Sequence, residues 1–126
     1  MKMTKAERQR AIAMMNGWCE YYLETVKSYN RLCKEFTHVA KDNHFQEIDP
    51  KLVKNIEWLE EVVRDMSILL RTREILRKTL LQKRPNIRVD RLITRFFQTR
   101  ACFSSKMDSA AAAFRHIVRF LEQGNL

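Results

Sequence analysis

The sequence predicts an all-α fold, an antiparallel up-down-up bundle of three long helices, on three observations. Its 126 residues include only two Gly and two Pro, which leaves few breakers for so long a chain. Its apolar residues recur at alternating steps of three and four, the spacing that lines one face of a helix. Its two candidate breaks are short, and short connections force neighbouring helices to run antiparallel. The length suits one domain spanning residues 1–126, large enough to bury a core without metal or disulfide support.

The first helix is expected to start at Thr4, because Thr4 and Glu7 have capping-box spacing, each side chain able to bond the other's amide. From Ile12 its stripe runs through Met15, Cys19, Tyr22, Val26, Tyr29, Cys33, Phe36 and Ala40. Gly17 lies inside it at a cost of about 1 kcal/mol relative to Ala. Residues 42–49 break the pattern.

Asp49 followed by Pro50 is a helix start, with Asp as N-cap and Pro at the first helical position. The second stripe reads Leu52, Ile56, Leu59, Val63, Met66 and Leu70, then shifts toward Leu69, Leu76 and Leu80 as Arg73 and Arg77 fill the original register. Arg84, Pro85 and Asn86 end it.

The third stripe is Val89, Ile93, Phe96, Arg100, Phe103, Met107, Ala110, Phe114, Ile117 and Leu121, with Gly124 as a natural stop. Ser104, Ser105, Asp108 and Ser109 are competent caps, so the helix is allowed to bend or split near residues 104–109. The register survives that crossing, which favours one continuous element.

Charge carries the functional signal. The chain is +9 overall, and all of the excess lies in residues 71–106, where eight Arg and three Lys face only Glu74 and Asp90. Residues 1–70 balance 11 basic against 11 acidic side chains, and residues 107–126 balance two against two. In an up-down-up bundle the start of helix one, the end of helix two and the start of helix three meet at one pole. That pole is expected to gather Lys5 and Arg8, beside Lys2 and Arg10, with Arg73, Arg77, Lys78, Lys83, Arg84, Arg88, Arg91 and Arg95.

Arg88, Arg91, Arg95 and Gln98 recur at helical spacing on the side opposite the apolar stripe. A face that serves solubility alone interleaves signs, whereas like charges at i,i+3 and i,i+4 repel by a few tenths of a kcal/mol. Repulsion that persists points to an anionic ligand, and Arg in preference to Lys points to bidentate phosphate contacts. Nucleic acid, DNA or RNA, bound through its backbone is the expected partner. An acidic protein surface is the alternative, and a homo-oligomer or larger complex stays open because the stripes would suit coiled-coil packing. Arg73 and Arg100 occupy stripe positions and are expected to snorkel to the bundle end or to pair with an acid such as Glu74. Phe96 and Phe103 read as core, and Phe97, off the stripe's centre, as a residue that can stack on a base.

Other chemistry has little support. Cys19 and Cys33 would lie roughly 21 Å apart along a helix, too far to bridge, so reduced thiols in a cytoplasmic setting are expected. His38, His44, His116 and the cysteines lack metal-ligand spacing, and isolated glycines make no phosphate-cradling loop, so neither metal nor cofactor is expected. No apolar run reaches the roughly 18 residues of a membrane span. Residues 100–120 loosely resemble a helix-turn-helix, but the turn glycine is missing and the second half is too apolar for a reading helix. Arg31 and His38, separated by six residues, resemble the R-x(4–6)-H element of HEPN-type ribonucleases, which implies metal-independent RNA cleavage. That element is eight residues long and lies far from the C-terminal position usual for it, so a non-enzymatic binding protein stands ahead.

Overall fold

A computed structural model describes residues 2–42 and 48–123. They form α1 (Lys5–Asp42), α2 (Pro50–Leu81) and α3 (Asn86–Glu122), and among the described residues there is no strand. The helices are about 57, 48 and 56 Å long at 1.5 Å per residue. Residues 43–47, with His44, and the stop expected at Gly124 lie outside the described residues.

Both helix starts read from the sequence are formed. The Thr4 amide donates to Glu7 Oε1 at 3.0 Å while the Glu7 amide donates to Thr4 Oγ1 at 3.1 Å. Hydrogen bonding from Thr4, first of all from its amide, holds the Glu7 carboxyl below its ordinary pKa. Asp49 Oδ1 accepts the Lys51 amide at 2.9 Å, with Pro50 as the first residue of α2.

Ring contacts establish the topology. Trp18–Phe96, Tyr22–Phe103, Tyr29–Phe114 and Phe36–Phe120 climb α1 and α3 in the same order, with centroids 5.2 to 6.2 Å apart, so these two helices are parallel. Asn55 meets His116 at 2.6 Å and Lys106 meets Glu61 at 2.9 Å, so α2 runs against α3. The bundle is up-down-up. Its α2–α3 seam is the most extensive of the three.

The stripes of α1 and α3 are buried or half-buried at every expected position, and α3 runs unbroken through residues 104–109. That continuity removes the turn a helix-turn-helix over residues 100–120 would need. The expected stripe of α2 needs correction. Val62, Thr72 and Thr79 are buried, Val63 and Leu70 are half-buried, and Leu80 is 41% exposed. Thr72 and Thr79 can take core positions because their hydroxyls donate to the Ile68 and Ile75 carbonyls at 3.0 and 2.7 Å, which satisfies the buried oxygen locally.

The α2–α3 turn is a Schellman motif. The Lys83 amide bonds Leu80 O at 3.1 Å and the Arg84 amide bonds Thr79 O at 3.3 Å, leaving Lys83 at φ 53°. Glycine favours that left-handed position, and a side chain there costs roughly 1 kcal/mol. Here the chain carries a lysine.

Candidate nucleic-acid interface

The basic pole is assembled as the topology requires, and Asp90 is the fastener. Arg8 Nε donates to Asp90 Oδ1 at 2.7 Å, Arg8 Nη2 donates to Asp90 Oδ2 at 3.2 Å and to the Met3 carbonyl at 3.0 Å, and the Met3 amide donates to Asp90 Oδ2 at 3.1 Å. The pair is enclosed, with side chains 12% and 4% exposed. It joins the start of α1 to the start of α3. The guanidinium holds the Asp90 carboxyl below its ordinary pKa, and Asp90 in turn raises that of Arg8. Arg8, expected as a phosphate ligand, thus has its guanidinium engaged by an internal acid.

Arg77 is exposed but bound to Glu74, Nη2 to Oε1 at 2.7 Å and Nε to Oε2 at 3.2 Å. Both acids of residues 71–106 are therefore neutralised, Glu74 by Arg77 and Asp90 by Arg8. Lys78, Lys83, Arg84, Arg88, Arg91 and Arg95 make no ion pair among the described residues, and all six are exposed. The Arg84 side chain donates to a neutral group, the Gln82 side-chain oxygen, at 3.3 Å. Lys5 is exposed on the first turn of α1 at the same pole.

An open groove of about 900 Å³ runs between the end of α2 and the start of α3. Arg88, Arg91 and Arg95 line it from α3 and Lys78 from α2, so four of the expected contact residues share one concavity. Ile75, Ile87 and Leu92 supply apolar surface, with Ile75 47% and Ile87 59% exposed. Gln82 and Gln98 add amide groups. Asp90 also reaches the lining, but its charge is met by Arg8 and the Met3 amide. A smaller depression of about 480 Å³ beside it is lined by Lys2, Pro85, Asn86, Ile87 and Asp90.

Arg73 lies outside the groove. It is half-buried toward α1, close enough for its charge to pull the Cys19 thiol pKa down against the larger upward effect of burial. Arg100 neither snorkels to the pole nor pairs with an acid. Its guanidinium carbon sits 3.7 Å from the Trp18 ring centroid and its Nε donates to the Tyr22 hydroxyl at 3.0 Å, a cation–π seat within the bundle. Phe97, expected as a residue that can stack on a base, packs edge-on against Trp18 at 5.3 Å and is half-buried. Lys106 is taken by Glu61 and Asp65 at 2.9 and 3.2 Å.

The apolar part of the groove escaped sequence reasoning because Ile75, Ile87 and Leu92 belong to no single stripe and converge only when α2 packs on α3. Elsewhere, Arg31 and His38 are exposed on α1, and His38 Nε2 lies 3.5 Å from Asp42 Oδ2. A depression of about 430 Å³ includes His38 without Arg31 in its lining. Among the described residues no three potential metal ligands cluster, and no helix is long and apolar enough to cross a membrane.

Comparison with protein-family models, curated proteins and solved structures finds no match.

Proposed function

We propose that this protein is a non-enzymatic nucleic-acid-binding protein whose basic pole contacts the sugar–phosphate backbone, acting as an accessory subunit of a nucleoprotein complex or mobile-element system. The observation that carries this reading is the unequal pairing of charge. Every acid in residues 71–106 is matched by an arginine, while six cations between Lys78 and Arg95 have no anionic partner among the described residues and crowd around one turn and one groove. Such a field attracts a polyanion and repels itself until one arrives. Arginines predominate on the α3 wall, which suits bidentate contact with phosphate oxygens.

The test is a gel shift with random-sequence duplex and single strands at low salt. Binding is expected, and it is expected to vanish when Arg88, Arg91 and Arg95 are reversed to Glu. Absence of any shift at 50 mM salt, where backbone contacts are strong, overturns the proposal. In that event the second reading, an adaptor or inhibitor docked on an acidic protein surface through the same arginines, takes its place.

A further inference from the structure

We infer that the α2–α3 groove receives unpaired nucleotides, so that the protein prefers single-stranded nucleic acid to duplex; this rests on the nucleic-acid reading above. Phosphate contact alone does not account for the groove. A surface that meets only backbone needs cations, yet exposed isoleucines lie among these cations, Ile75 on one wall and Ile87 on the other. A ligand that covers them offers apolar surface as well as negative charge. Nucleotides provide both at every step of a single strand, whereas a duplex keeps its base faces stacked inside.

Size leads to the same conclusion. Two helices packed with axes about 8–10 Å apart, each about 10–12 Å across, form a face roughly 20 Å wide. The major groove of duplex DNA is about 12 Å wide, so base edges of a duplex cannot reach the bottom of the valley between α2 and α3. A single strand can lie along it. On the α3 wall Arg88, Arg91 and Arg95 are spaced by about 4.5 and 6 Å along the axis, and their planar guanidinium groups both pair with phosphate and stack on bases. Gln82 and Gln98 supply donors and acceptors for the edges of bases turned into the groove. The volume of about 900 Å³ is that of a binding pocket for one or a few such units.

Fluorescence anisotropy with a short labelled oligo(dT), the matching oligo(U) and a blunt duplex of the same length tests this. Either single strand is expected to bind about tenfold tighter than the duplex, the worth of taking roughly 55 Å² of exposed isoleucine surface out of water at about 25 cal/mol per Å². Ile75→Ser and Ile87→Ser, at positions already about half exposed, should reduce single-strand affinity severalfold and leave duplex affinity unchanged. Equal or tighter duplex binding overturns the inference while leaving backbone binding intact, as does an equal loss for both probes in the isoleucine variants. Binding of neither probe removes both readings, and capture of an acidic amphipathic helical peptide by the same groove would assign its apolar lining to a protein and overturn the inference.

Discussion

Replacing Arg88, Arg91 and Arg95 together with Gln should change how binding responds to salt as well as how tight it is. Six cations around the α2–α3 turn have no ion pair among the described residues. If each meets one phosphate of a single strand, log K falls against log salt with a slope of roughly −4, at about 0.7 per contact. Raising salt from 50 to 200 mM then weakens binding by about 300-fold. The triple variant keeps three of the six contacts, so its slope should be roughly −2 and its loss over the same range about 20-fold. Folding should not suffer, because all three arginines are exposed and their like-charge repulsion of a few tenths of a kcal/mol is relieved. Anisotropy titrations at four or more salt concentrations give the slopes, and a circular-dichroism melt checks the fold. Lys34, Lys51 and Lys54 lie toward the other pole, and their replacement by Gln is the control that should leave the slope unchanged. An unaltered slope in the arginine variant, or a slope equally reduced in the control, would refute the assignment of the contact to this pole.

Lys83→Gly should raise the melting temperature, since relieving the left-handed backbone is worth roughly 1 kcal/mol, while lowering oligonucleotide affinity severalfold. Gly17→Ala should stabilise by up to about 1 kcal/mol in urea denaturation, because a Cβ at that position meets nothing within 4 Å. The Asp90 carboxyl is depressed by Arg8, so its contribution to stability is full above the ordinary aspartate pKa and is lost as pH falls through the lower folded value; the stability gap between wild type and Asp90→Asn, measured by urea titration, should therefore shrink from about pH 5 downward. Thiol titration of the native protein should find Cys102 reactive and Cys19 and Cys33 slow, since Cys19 is buried and burial pushes the Cys33 thiol up to about 11, and all three should react once the chain is unfolded.

Periodicity made α1 and α3 legible because their stripes are built from large apolar side chains whose burial is unambiguous. It failed in the second half of α2, where Thr72 and Thr79 look polar in one dimension but satisfy their hydroxyls within the helix. The basic pole was legible as topology, since three short statements about helix direction bring its residues together. Which cations stay available was not. Arg8 is consumed by Asp90, 82 residues away, and Arg100 by Trp18 and Tyr22, and such pairings depend on rotation of one helix against another. A signal did exist: Asp90 is a lone acid amid arginines on α3, and an isolated opposite charge in that setting invites a buried partner. The apolar lining of the groove lay beyond one-dimensional reading because its isoleucines and leucine come from two helices.

An odd number of helices has an electrostatic consequence of its own. Each helix behaves as about half a positive charge at its N-terminus and half a negative charge at its C-terminus, and an antiparallel pair nearly cancels. Here α1 and α3 start at the same pole and only α2 ends there, so one helix is left without an opposing partner. Its positive end coincides with the cluster of Lys78, Lys83, Arg84 and Arg88. Backbone and side chains thus polarise the bundle in one direction, and the molecule should approach a polyanion with that end leading.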